Sequence, residues 1–478
     1  MANILIMYWS SFISNFYNDF AKSAANIGNK VLLIDTYDYI DCSQNDGNFI
    51  LRHDNKDIFL NKIHNFNPDV VLSFNNMLPI ECVEQLDCPM CLIDADSIDV
   101  GFWNKEWLKK NKDLFVFLGS SSSSKKAFDA GLDGEVKKYC YFPNATLGYT
   151  NDINKTRNIS FIGSNTLYLR HLMYNYDFTN ERHLFNDILE ISETHDIIKN
   201  NHFQRFQQKY ATIKDEAYLR RIFNYFYYFT ISGMNRVKLL SMFSDLGLEL
   251  FGTDSWRELL YYDIELAKCF NEVKVSLLDE VMRVYNSSKI SINISHEQAV
   301  DTFSWRVMDI MASSSCLLME DKRDWHDLFG EYISDEVKEA IIYKDRYDAR
   351  QKAIRLLEDE EFRLRCVKEC NYAIEQNGRW EHRFKKLSEY LNINLFSENK
   401  GELEIIKPLN RSVNTNTTSV PSSSPRLKYY QNMQYRNRWL GFINLFQLML
   451  AQIPLVDLLF FKRKKRRELL EKINRYWR

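Results

Sequence analysis

Ile4-Leu5-Ile6-Met7-Tyr8, a helical pattern from Ser14 to Asn26 closed by Gly28, and then Lys30-Val31-Leu32-Leu33-Ile34-Asp35 decide the fold. Continuous apolar runs this short, on either side of a helix, read as strands buried on both faces of a parallel sheet. The unit repeats at Asp69 to Phe74, Met90 to Ile93 and Leu114 to Leu118. Strands alternating with helices predict a parallel sheet covered on both sides. Such sheets bind ligands beyond the carboxyl ends of their strands.

From Asn158 the pattern restarts. Ile159-Ser160-Phe161-Ile162-Gly163 reads as a strand and a turn, and the sheet resumes at Leu248-Glu249-Leu250-Phe251-Gly252. It continues through Lys289 to Ile294 and Cys316 to Met319, with helices from Ala349 to Tyr390. The stretch 167–242 between the first two strands is too long for a crossover and reads as a helical insertion. The expected class is α/β, with two Rossmann-like halves facing across a cleft. Their bounds are 1–150 and 151–391, followed by a polar linker at 392–425 and a tail at 426–478.

The tail differs in kind from the body. Arg426 to Arg478 holds thirteen Lys or Arg against Asp457, Glu468 and Glu471, so it carries about +10, while the whole chain carries −2. Trp439 to Phe461 is almost wholly apolar and includes Phe442 and Phe446; Lys462-Arg463-Lys464-Lys465-Arg466-Arg467 follows at once. Apolar surface beside dense positive charge suits an anionic membrane surface. Pro454 and Asp457 speak against a span and for a helix lying in the membrane plane. Nothing resembling a nucleic-acid motif accompanies the basic run. The expected location is therefore cytoplasmic, on the inner face of the cytoplasmic membrane.

Nine cysteines are scattered without metal-ligand spacing, and read as reduced thiols. The first residues read as a strand rather than a signal peptide.

Three ordered stretches carry a family resemblance. They are Tyr285 to Ile294, Ser304-Trp305-Arg306-Val307-Met308-Asp309-Ile310-Met311-Ala312, and Trp325-His326-Asp327-Leu328-Phe329. Together they resemble the C-terminal half of CgeB-type glycosyltransferases. Phe251-Gly252-Thr253-Asp254-Ser255-Trp256 is similar to that family's strand-Gly-x-x-x-Trp segment, and Tyr141-Phe142-Pro143-Asn144-Ala145 to its interdomain turn. The resemblance covers roughly Lys112 to Leu391. It implies a GT-B fold and transfer of a sugar from a nucleotide-sugar donor to a glycan acceptor. Two departures stand out: the family's Glu is Asp309 here, and its Gly is Ser314 or Ser315.

GT-B enzymes generally stabilise the departing nucleotide phosphate with Arg, Lys and helix N-termini rather than with a metal. Arg306 is the expected phosphate contact and Asp309, three residues on, the expected ribose contact. The turn Ser313-Ser314-Ser315 offers backbone N–H groups, and Gly252 lies at a strand end. His296 and Glu297 follow a strand directly; His296 is chemically suited to act as a base, but the resemblance implies a base from the N-terminal half, and His296 reads rather as a solvated loop residue. Candidates for a base in the first half are Asn15, Tyr17, Asp94 and Asp96. Asp94-Ala95-Asp96 spells a metal-binding triplet of another glycosyltransferase fold, but a structural or acceptor-side role is favoured. No cofactor or metal is expected beyond the donor. The expected partners are that donor, a lipid-linked or glycan acceptor such as a lipopolysaccharide or capsule precursor, and the membrane surface. The departures leave two alternatives: a non-catalytic nucleotide-sugar-binding scaffold, or a sugar-nucleotide epimerase.

Overall fold

The computed structural model describes residues 1–8, 14–41, 50–74, 78–94, 114–121, 139–165, 178–193, 202–210, 219, 222–223, 226–227, 231–261, 263–297 and 299–406. The chain divides into two compact units, 1–409 and 410–478. The second unit, with the expected tail and its residues Trp439, Phe442, Phe446 and Lys462 to Arg467, lies outside the described residues.

The first unit contains two parallel sheets. One takes β1 (Asn3–Tyr8), β2 (Lys30–Asp35), β5 (Val70–Phe74), β6 (Met90–Asp94), β7 (Leu114–Leu118) and β8 (Tyr139–Tyr141). The short antiparallel pair β3 (Ile40–Asp41) and β4 (Ile50–Leu51) lies apart from it. The other sheet takes β9 (Arg157–Ile162), β10 (Leu248–Phe251), β11 (Ser288–Asn293), β12 (Cys316–Glu320) and β13 (Ile342–Tyr343). One more strand, β14 (Glu402–Ile406), returns to the first sheet. The orders are β14-β2-β1-β5-β6-β7-β8 and β10-β9-β11-β12-β13.

Burial explains the continuous apolar runs. Ile4, Leu5, Ile6 and Met7 in β1, and all of β5, are buried on both faces. In the second sheet Ser160, Ser291 and Ser315 are buried too, and their hydroxyls bond across the strands at 2.9 and 2.8 Å. These serines replace apolar side chains without leaving a polar atom unpaired. The insertion has its own core, in which Leu184, Phe185, Ile188, Phe206, Phe223 and Ile231 pack together.

The chain's return corrects the expected boundaries. The helix Trp380–Leu391 packs on the first sheet's helix Ser14–Asn26, with Phe20 4.9 Å from Trp380 and 5.1 Å from Phe384 between ring centroids. The region expected as a polar linker then supplies β14, which pairs in parallel with β2, Glu402 opposite Lys30. Its Leu403 and Ile406 are half-buried while Glu402 and Glu404 are exposed, so an edge strand presents too little apolar surface to stand out in the sequence.

The return is close-fitting at Gly28, which adopts φ +92°. A Cβ there would lie 2.2 Å from the Ser397 carbonyl oxygen. Gly28→Ala is therefore expected to destabilise the first unit by about 2 kcal/mol. Equilibrium denaturant unfolding measures it, and a wild-type midpoint would contradict the close fit.

Candidate functional site

Parallel strands end together, so the loops after β9, β11 and β12 gather at one end of the second sheet. The helix Ser232–Leu240 closes the insertion and delivers Arg236 to that end. Arg236 donates from Nη1 to the Ser164 carbonyl at 2.5 Å and from Nη2 to the Ile294 carbonyl at 3.1 Å. It thus straddles the segments following β9 and β11, with its guanidinium 5.5 Å from the Phe161 ring centroid.

Arg236 is 8% exposed, and its Nε has no acceptor among the described residues. No described carboxylate forms an ion pair with it. Burial, and then the nearby Arg306, lower its pKa to about 10, so it stays charged at neutral pH. Glu320 and Glu297 are near enough to oppose that shift. Glu320 is otherwise engaged: it accepts from the Ser295 N–H at 2.8 Å and lies 3.3 Å from Lys322. An unpaired buried cation is costly. An anion placed here would supply a counter-charge to Arg236.

His296 and Glu297, directly after β11, sit beside this cation. Burial first, and then Arg236, push the His296 pKa down to about 4. Its imidazole is neutral at pH 7, and can donate one hydrogen bond and accept another. Glu297 is held by the insertion's closing helix: its N–H donates to Ser232 Oγ at 2.8 Å, and its Oε1 accepts from Asn235 at 2.9 Å. Arg306 opens the helix Arg306–Met311 and stacks on Trp305 at 4.8 Å.

The first sheet meets this end of the second. Phe16, near the start of the helix after β1, lies 5.3 Å from Trp305 between centroids, and Tyr17 stacks on Tyr8 at 4.6 Å. After β7, the Ser121 N–H donates to Asp324 Oδ2 at 3.1 Å, and the Ser121 hydroxyl donates to Oδ1. Thr302 donates to the Gly119 carbonyl at 3.0 Å. Asp324 is fully buried, and burial raises its pKa.

Other expected residues fall elsewhere. Ser314 and Ser315 precede β12 and lie at its amino end, away from Arg306. Their N–H groups are taken by Asn286 Oδ1 at 2.8 Å and Ser313 Oγ at 3.0 Å, so this turn has no free donors for phosphate. Gly252 adopts φ +149°, and a Cβ there would lie 2.2 Å from the Gly163 carbonyl oxygen. That same oxygen accepts from the buried Trp256 indole at 2.7 Å. The Gly-x-x-x-Trp segment therefore joins the ends of β9 and β10. Asp309 turns toward the interdomain stretch, where it accepts from Thr146 Oγ1 at 2.5 Å; Thr146 Oγ1 accepts from the Gly148 N–H at 2.6 Å. Asp94 ends β6, but its side chain, that of Asn15, and Asp96 lie outside the described residues. Among the described residues no acidic, His or Cys cluster could hold a metal.

Arg236 was not found from the sequence. It lies in a stretch read only as inserted helix, and a single Arg there gives no pattern to detect.

Residues 236–389 match the model of a family described as Glycosyl transferase-like. That segment begins at Arg236 and takes in His296, Glu297, Arg306 and Asp309. No curated protein matches the chain. Solved structures with a similar chain path include T4 phage BGT in complex with UDP and Mn2+, at 12% identity and TM-score 0.45, covering 82% of this chain and 99% of that one. A glycosyltransferase from Rickettsia africae ESF-5 is 10% identical at TM-score 0.43, covering 81% and 97%. S. aureus TarM, solved with UDP among its ligands, is 9% identical at TM-score 0.42, covering 72% and 60%. Identities this low carry nothing about substrate. Two Rossmann-like sheets within one unit are the architecture typical of the GT-B fold.

Asp309 gives a pH signature. Burial raises its pKa from 3.8 to about 6 despite the Thr146 hydrogen bond. A carboxyl whose folded pKa is raised contributes stability that is complete below its unfolded pKa and is lost as pH rises through the folded one. Relative to Asp309→Asn, wild type is expected to lose about 2 kcal/mol between pH 4 and pH 7. Unfolding free energies of the two proteins across that range test it, and parallel curves would contradict it.

Proposed function

We propose that this protein is a glycosyltransferase that binds a nucleotide-sugar donor at the carboxyl end of the second sheet. The observation that carries the reading is the charged Arg236, buried beside Arg306 with no ion pair to a carboxylate among the described residues. A donor diphosphate supplies the absent negative charge, and two guanidinium groups suit it geometrically. As the glycosidic bond breaks, charge builds on the leaving phosphate oxygen. Cations already fixed in place stabilise that charge without reorganising. The match of residues 236–389 to a glycosyl transferase-like family supports the same assignment.

The acceptor enters from the first half. Phe16, edge-on to Tyr17, packs against Trp305 and joins the first half to the helix that carries Arg306. The basic, apolar tail supports an acceptor carried on a membrane, such as a lipid-linked glycan or a lipopolysaccharide or capsule precursor, on the cytoplasmic face. We propose transfer without a metal, since arginine can meet the phosphate charge by itself.

Arg236→Met is expected to keep or raise thermal stability, since it removes a buried charge with no ion pair among the described residues, yet to weaken nucleoside diphosphate binding about a hundredfold or more. Arg306→Ala is expected to lose transfer with the fold intact, and wild-type transfer is expected to persist in EDTA. Titration calorimetry and a transfer assay decide. Full affinity in Arg236→Met, or activity lost in EDTA and restored by Mn²⁺, would sink the respective claim.

For the tail, the full chain is expected to co-sediment with anionic vesicles and to stay in solution with purely zwitterionic ones, its binding weakening as salt rises. Equal partition to both vesicle types would remove the electrostatic part of the proposal.

A further inference from the structure

Three side chains that make polar contacts at the candidate donor site come from one short helix, Ser232–Leu240, and that helix is the last element of the insertion. Ser232 is 3% exposed, and its hydroxyl accepts from the Glu297 N–H; Asn235, one turn on, donates to the Glu297 carboxylate. Arg236 follows and spans Ser164 and Ile294. The residue just before the helix, Ile231, is buried in the insertion's own core with Phe206, Phe223 and Tyr227. Phe226, Tyr227 and Ile231 have π-helical geometry. Single π-helical turns occur frequently at functional sites.

We infer that Ser232 and Asn235 are positioning residues for the loop His296–Glu297, and that the core of the insertion sets their place through Ile231. The inference rests on the donor-site reading. A loop that follows a strand has no intrinsic reason to hold one conformation, because its backbone groups can turn to water. Here a buried hydroxyl takes the Glu297 amide proton. The carboxylate is fixed from the same helix that carries the cation. Loop and cation are thus indexed to each other by one rigid turn of helix, and the distance between them is independent of motion between the two halves. The insertion, whose core is separate from the main one, becomes the part that sets the geometry of the donor site.

Amide hydrogen exchange and calorimetric titration of nucleoside diphosphates, both on the full chain, test this. In Ser232→Ala the Glu297 amide is expected to exchange about tenfold faster or more, while β11 and β12 keep wild-type protection. Affinity for the nucleoside diphosphate that wild type binds is expected to fall about tenfold. The exposed Asn235→Ala is expected to shift both readouts the same way by less, and Asn235→Gln, which keeps the amide donor, to recover toward wild type. Phe223→Ala, inside the insertion core and remote from the loop, is expected to raise Glu297 exchange as well. Wild-type exchange and affinity in Ser232→Ala and Asn235→Ala would overturn the positioning role; no effect in Phe223→Ala would overturn the insertion's part in it. Wild type that binds no nucleoside diphosphate would instead overturn the donor-site reading, and the exchange data would still decide whether Ser232 holds the loop.

Discussion

A guanidinium held out of water, with no ion pair to a carboxylate among the described residues, is the constraint on which the candidate site depends. Taking such a charge out of water costs several kcal/mol, and the cost persists in the free protein unless an anion arrives. Arg236 donates to the Ser164 and Ile294 carbonyls, and these dipoles soften the cost without cancelling the charge. Both available acids are kept from full pairing: Glu320 is held by Ser295 and Lys322, and Glu297 by Ser232 and Asn235. Had either closed on Arg236, its charge would be matched within the protein.

Arg383 is a useful contrast. It is equally buried at 4% exposed, and burial lowers its pKa to about 10 as well. Its Nε reaches the Pro143 and Asn144 carbonyls, and its Nη groups reach the side chain and carbonyl of Asn377. Every nitrogen has an acceptor, and all those acceptors belong to the crossing between halves. Arg383 is a clamp on the interdomain turn. Arg236, with an orphaned Nε and a second cation nearby, is built for a different end. The same residue type with similar burial is told apart only by the count of satisfied donors.

The sequence was most legible where burial is two-sided. Continuous runs such as Ile4 to Tyr8 and Ile290 to Asn293 have no other economical reading, and nine strands fall where such runs predict them. β8, β13 and β14 were not legible for a common reason: each is short or at an edge, with few buried apolar positions. The return of the chain to the first sheet depends on contacts such as Phe20 with Trp380, more than three hundred residues apart, which no local pattern encodes. Around the candidate site, His296, Glu297 and Arg306 stood out in the sequence because they follow a strand or open a helix at the carboxyl end of the second sheet. Arg236 was not, because its importance lies in what fails to pair with it.

The two departures from the family pattern take on a physical meaning in this setting. The turn at Ser314 lies at the amino end of β12, and its N–H groups are occupied by Asn286 and Ser313. A side chain there does not obstruct an anion at the opposite end, so the missing glycine says little about donor binding. Asp309 reaches Thr146, which in turn receives the Gly148 N–H, in the stretch joining the halves. Thr146 also donates its own N–H to the Gly378 carbonyl at the start of the returning segment. The shorter carboxylate is thus built into the crossing between the sheets. Both departures concern how the halves are joined and how a turn is closed, while the cations at the carboxyl end stay in place. They therefore give little weight to a scaffold that has lost its chemistry, and leave the transferase reading resting on Arg236 and Arg306.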